Sequence, residues 1–282
     1  MIRLTSILLL SSCCLLTAQP SKSTHSSRVE TLEAIEAKES KFHGFQQFDF
    51  QIPETDAQCI VVTPKKAAKE LPWVWRARFF GHQPTLDIAL LEEGYHVCYV
   101  NVSNLFGSPK AMAKGETLHT FVTSKLGLKE KAVLEGMSRG GLFVFNYAAK
   151  NPDHVSAIYG DNPVCDFRSW PGGQNGTFKE GAWKKCLKSY AINKKEAQKH
   201  PQVSDKQHAQ KLKGIPIALV ISTADKEVPP NENGDLLAKN LKAKGSPLQV
   251  WYKEGLGHHP HGLDPVEPLV KFLMQADGIN IK

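Results

Sequence analysis

Apolar positions change their spacing along this chain, and the changes outline a fold. Phe45, Phe48 and Phe50 recur at short intervals, and Cys59-Ile60-Val61-Val62 is a compact apolar run. Both predict early antiparallel strands, and Trp73 to Arg78 predicts a third. A second rhythm then begins. Leu86, Ala89 and Leu90 share a helical face, with Gly94 as the stop. His96–Val100 reads as a strand, Leu118 to Leu126 as a helix, and Ala132–Gly136 as a short buried strand. Leu142, Phe145 and Ala148 mark the next helix, which Asn151-Pro152 should end. Strand Val155–Tyr159 follows. The rhythm breaks over 162–214 and resumes with strand Ile215–Ile221, a helix through Leu236, Leu237 and Leu241, strand Leu248–Tyr252, and an amphipathic helix through Val266, Leu269, Val270 and Leu273. Strands alternating with helices imply an α/β fold: a mainly parallel sheet covered on both faces, with 162–214 as a small insertion.

Composition narrows the class. The chain has 282 residues, 41% hydrophobic, which suits one well-buried core and is short for two full domains. No apolar run reaches the length of a membrane span, which excludes a multi-pass membrane protein. Net charge is +7, and the excess is local: Phe178 to Lys213 holds ten Lys against Glu180, Glu196 and Asp205. That segment reads as a solvated helical surface. It contains no Arg, which argues against nucleic acid as a partner.

The first 18 residues read as an export signal: Arg3, a mostly apolar stretch through Leu16, then small residues. Two processing routes stay open. Leu10-Ser11-Ser12-Cys13 is similar to a bacterial lipobox, which would leave a lipidated Cys13 as the sole membrane contact; cleavage after Ala18 would release a soluble protein. Either route places the protein in the periplasm or outside the cell. Residues 19–44 are expected to be a polar tether and a leading helix, with helical character over Arg28 to Lys38, and 45–282 the main domain. Export permits disulfides, and Cys165 with Cys186 is the better candidate pair. Cys59 and Cys98 sit in strand patterns and are expected as buried thiols. No CxxC occurs, so neither metal nor cofactor is expected.

Gly136-Met137-Ser138-Arg139-Gly140 carries the chemistry. A G-x-S-x-G pattern is short enough to arise by chance, so its context matters: an apolar strand before it and a helix after it. Such a turn exposes Ser138 Oγ at the C-terminal edge of the sheet. It also puts the Arg139 backbone N–H at a helix N-terminus, facing a developing oxyanion. A serine needs a base, and the base an orienting acid. Asp225 lies just past the strand ending at Ile221, and Gly257-His258-His259-Pro260-His261 follows the last strand. His258 is the first choice of base and His259 the alternative, with His261 shaping the pocket. The second oxyanion donor is expected from the loop after Arg78, at Phe79 or Phe80. His82, Asp161, Trp170 and His259 are expected to line the substrate site, Asp161 as a hydroxyl acceptor or a structural cap.

These residues resemble the α/β-hydrolase superfamily of serine esterases and peptidases, and within it a group of exported bacterial hydrolases labelled prolyl-oligopeptidase-like. The resemblance runs from about Phe48 to the C-terminus. It rests on Trp73-Val74-Trp75-Arg76, Gly136 to Gly141, Gly160-Asp161-Asn162-Pro163-Val164, Ser169-Trp170-Pro171-Gly172, Asp225 with Val228-Pro229, and Gly257 to His261. It implies an α/β-hydrolase-like sheet with a cap and a triad of Ser138, Asp225 and His258. The expected activity is hydrolysis of carboxylic esters through an acyl-enzyme, with acyl esters of carbohydrates among the substrates. A serine peptidase for short peptides and a catalytically idle carbohydrate-binding module are the alternatives.

Overall fold

The computed structural model describes residues 24–279, so the expected export signal lies outside the described residues. Helix α1 (His25–Glu33) leads into strands β1 (Lys38–Phe42), β2 (Phe45–Gln51), β3 (Gln58–Thr63) and β4 (Trp73–Arg76). Alternation follows: α2 (Thr85–Glu92), β5 (His96–Val100), α3 (Pro109–Ser124), β6 (Ala132–Met137), α4 (Gly140–Lys150) and β7 (Val155–Asp161). The insertion carries α5 (Glu180–Tyr190), α6 (Lys194–Ala197) and α7 (Lys206–Lys211). Then come β8 (Ile217–Ser222), α8 (Gly234–Ala243), β9 (Leu248–Lys253) and α9 (Glu267–Ala276).

The strands form one sheet in the order β1-β2-β3-β5-β4-β6-β7-β8-β9. β1, β2, β3 and β5 pair antiparallel in turn, while every pair from β5 through β4 to β9 is parallel. The period of two distributes side chains between two cores. Cys59 and Val61, Trp73 and Trp75, Leu134, and Leu219 and Ile221 face a core that also takes α3, α4 and α8. Val62, Val74, Val97, Val133, Ala218 and Val220 face a smaller core closed by α2 and α9. Burying strands on both sides explains why β4, β6 and β8 read as apolar runs interrupted only by Arg76, Glu135 and Ser222.

Three differences from the sequence reading have physical causes. The leading helix ends at Glu33, and Lys38–Phe42 is an edge strand hairpinned to β2 through His43 and Gly44, whose φ of 48° and 86° suit a tight turn. Its polar sequence, Lys-Glu-Ser-Lys-Phe, buries only Phe42, so hydrophobic patterning gave no signal. Strand β4 stops at Arg76, two residues early, because the chain turns there into the loop carrying Phe79. Cys165 and Cys186 are free thiols buried in the apolar core, as are Cys59 and Cys98; the expected disulfide is absent. The Lys-rich insertion has its own apolar stripe. Trp183, Cys186, Leu187 and Tyr190 turn inward, with the Trp183 ring 6.1 Å from Phe167.

Candidate active site

The C-terminal ends of β6, β7 and β8 meet at one edge of the sheet, and the residues singled out in the sequence gather there. Between β6 and α4 the chain reverses at Ser138, whose φ of +50° is costly for a residue with a side chain. The neighbours hold it. Ser138 N–H donates to Asp161 O (2.8 Å), and Ser138 O accepts from Gly141 N–H (3.0 Å) and Val164 N–H (2.8 Å). A Cβ at Gly136 would come within 2.4 Å of Val144 Cγ2, so the turn tolerates no side chain there; at Gly140 the nearest approach, to Arg78 Cβ, is 3.3 Å.

Ser138 Oγ stands 2.9 Å from His258 Nε2, and His258 Nδ1 stands 2.6 Å from Asp225 Oδ2. With Nδ1 protonated, His258 donates to Asp225 and accepts from Ser138. Asp225 is buried, and its other oxygen accepts the N–H groups of Glu227 and Val228, each at 2.9 Å. Its carboxylate is therefore fixed in orientation. His259, the alternative base, is exposed at the rim of the adjoining cavity and makes neither contact. Partial burial and the neighbouring His261 and His258 hold its pKa below the usual histidine value.

The cavity measures about 280 Å³ and is lined by Phe79, His82, Met137, Ser138, Arg139, Trp170, Glu227, His258, His259 and His261. His82, Trp170 and His259 thus stand where substrate contacts were expected. The Phe80 ring packs against Phe42 (5.1 Å) and Tyr99 (5.7 Å) and lines no part of this cavity. Phe79 is the member of the pair that lines the cavity wall, and the N–H groups of Phe79, Phe80 and Arg139 all lack a backbone acceptor among the described residues.

Of the two roles expected for Asp161, the structural one is what its contacts show. It is wholly buried and lines no part of this cavity, so it offers nothing to a substrate hydroxyl. Its Oδ2 accepts Gly262 N–H at 2.6 Å and lies 3.4 Å from His261 Nδ1, with Lys253 Nζ 4.0 Å from Oδ1. Burial pushes its pKa up, but His261, Lys253 and the Gly262 N–H together outweigh that and hold it below the ordinary carboxylate value.

Two supporting groups escaped the sequence reading. Asn162, at φ 40°, accepts Ser222 N–H (2.7 Å) and donates to Ser222 Oγ (3.0 Å) and His258 O (3.1 Å), tying the end of β8 to the loop of His258. Arg76 is buried with Asp87 and Glu135, at 2.5 and 2.9 Å, and also donates to Phe79 O (3.2 Å) and His82 O. It therefore anchors the loop that presents Phe79. A charge inside each of two apolar strands, Arg76 and Glu135, was the available signal. The two residues face each other across the β4–β6 register.

At the opposite, N-terminal edge of the sheet, His119, Glu130 and His154 each place a ligand atom within 4.8 Å of the others. His119 Nε2 is already committed to Glu130 O at 2.7 Å, and the two imidazoles stack face to face at 3.8 Å. Parallel rings aim their lone pairs side by side rather than at one point, so the group as it stands does not fit an ion.

Solved structures share this fold. A puromycin hydrolase matches with TM-score 0.64 and 16% identity over 88% of this chain and 40% of its own. A puromycin-hydrolysing peptidase from Mycobacterium tuberculosis matches with TM-score 0.61 and 14% identity over 86% of this chain and 40% of its own. An S-formylglutathione hydrolase from Agrobacterium tumefaciens matches with TM-score 0.57 and 14% identity over 86% of this chain and 95% of its own. The chain thus spans about two fifths of the length of the first two. No curated protein sequence matches significantly. The sequence profile of the prolyl oligopeptidase family matches residues 117–276, more than half of the chain and the stretch that carries all three hydrogen-bonded residues. The chain belongs to the prolyl oligopeptidase family of serine hydrolases.

Proposed function

We propose that this protein hydrolyses carboxylic esters, acyl esters of carbohydrates among them, with Ser138 as nucleophile, His258 as base and Asp225 as orienting acid. The observation that carries the reading is the continuous line from Ser138 Oγ to His258 Nε2 to Asp225, at 2.9 and 2.6 Å, opening on a cavity. As Oγ attacks the carbonyl carbon, its proton passes to His258 Nε2. Negative charge moves to the carbonyl oxygen, where the free N–H groups of Arg139 and Phe79 stabilise it. The intermediate collapses to an acyl-enzyme as His258 returns the proton to the departing alcohol oxygen. Water, deprotonated by the same imidazole, then releases the acid and restores Ser138.

Family membership favours a second reading, cleavage of short peptide amides by the same steps. A panel of acetylated sugars, aryl esters and dipeptide amides separates the two. Ser138→Ala is expected to lower turnover of the accepted substrate by at least about a thousandfold; near-normal turnover would end the proposal. A catalytically idle binding module would leave Ser138 unlabelled by a fluorophosphonate. We also read residues 1–18 as an export signal, with intact mass of the mature protein as its test.

A further inference from the structure

Arg139 is set in the cavity wall in an unusual way. Its guanidinium carbon lies 5.3 Å from the ring centroid of Phe79 and 5.3 Å from that of Trp170. Aromatic rings at these distances hold a guanidinium by cation–π attraction and leave its N–H edges available to a ligand. Those edges make no hydrogen bond or ion pair with any described residue. The contrast with other arginines is sharp: Arg76 is satisfied by Asp87 and Glu135, and Arg168 by Asp166.

The surroundings repeat the message. Arg78 lies over Phe79 as well, at 4.7 Å, with no carboxylate partner, and its Nε is buried without any partner. His82, His259 and His261 stand around the same space. Glu227, the carboxylate in that wall, lies 3.9 Å from Lys179 Nζ. Burial and the nearby Arg78 press the Arg139 guanidinium toward lower pKa and Glu227 offsets only part of this, a cost that a further counter-anion would relieve. A planar, singly charged fork matches a carboxylate in both shape and charge.

We infer that the substrate carries a free carboxylate beside its scissile bond and that the Arg139 side chain grips it, next to the Ser138 hydroxyl. This rests on the hydrolase reading above. Two sources share that chemistry: a uronic acid unit in a carbohydrate ester, and the C-terminal carboxylate of a short peptide.

The test uses two matched substrate pairs: an acetylated methyl glucuronoside against the acetylated methyl glucoside, and a dipeptide with a free C-terminus against its amide. In one pair, kcat/KM for the anionic member should exceed that of the neutral one by at least about tenfold, and that pair names the source. The ratio should fall toward one in Arg139→Gln and partly in Arg139→Lys, which keeps the charge and loses the fork. A wild-type ratio near one in both pairs, or a ratio unchanged in Arg139→Gln, overturns the inference and leaves the hydrolase standing. Fluorophosphonate labelling of Ser138 reports the integrity of the site in each variant. Labelling without turnover of any of the four substrates overturns the inference alone. A wild type that neither turns over any of them nor labels overturns the hydrolase reading and this inference with it.

Discussion

Two aspartates end neighbouring strands, and each faces a histidine of the same loop, yet they serve different ends. Asp225, after β8, meets His258 at 2.6 Å, and that ring reaches Ser138. Asp161, ending β7, lies 3.4 Å from His261, which lines both the cavity of Ser138 and a second cavity of about 340 Å³ behind it. Asp225 spends its second oxygen on two backbone N–H groups in its own turn and is left with one task, to aim an imidazole. Asp161 accepts a backbone N–H from the loop itself and draws in Lys253, so it pins the loop rather than tuning a ring. A strand-end carboxylate next to a histidine is thus no sufficient mark of a triad. What separates the two is whether the far side of the ring meets a nucleophile.

The comparison can be broken most directly by charge removal. Asp225→Asn should lower kcat by about 10³–10⁴, because His258 loses the partner that fixes its tautomer, whereas Asp161→Asn should lower it by about tenfold or less. Equal losses would show that both aspartates act on the chemistry. Stability should rank differently: Asp161→Ala strands the Gly262 N–H and removes the nearby counter-charge of Lys253, and should cost about 1–3 kcal/mol in denaturant unfolding.

Acidity sharpens the contrast further. The Asp161 pKa is depressed in the fold below its ordinary 3.8. Through that interval the unfolded chain binds more protons than the native one, so stability rises with pH. The contribution is complete above about 3.8 and is lost as pH falls through the lower folded value. Unfolding midpoints measured from pH 5 downward should show this loss in wild type, and Asp161→Asn should lack that portion of the slope. The smallest effect is expected at the third histidine: His259→Ala should change kcat by no more than about threefold, since a rim residue outside the Ser138–His258 line contributes little beyond contact. A loss matching His258→Ala would reassign the base.

Much of this was legible in the sequence, for identifiable reasons. Parallel strands buried on both faces leave dense apolar runs, so β6 and β8 announced themselves. The nucleophile turn demands small residues, and Gly136 marks it. Asp225 and His258, the proposed acid and base, follow their strands in chain order. What stayed hidden lies in side-chain direction. Phe79 and Phe80 are adjacent and alike, and only the turn decides which faces the cavity. Asp161 and Asn162 stood in a recognisable segment, but whether a polar residue points to solvent, substrate or a neighbouring loop is set by packing between distant segments. The edge strand Lys38–Phe42 buries too little to show a pattern.

The buried position of Arg76 has an implication for turnover. By binding the carbonyls of Phe79 and His82 while itself locked between Asp87 and Glu135, it takes away the freedom of the loop from Phe79 to His82 to follow its surroundings. In bulk solvent, water molecules must swing round each time charge appears on a carbonyl oxygen. Here part of that reorganisation would be completed once, as the protein folds, and every later catalytic cycle would begin with the loop already in place.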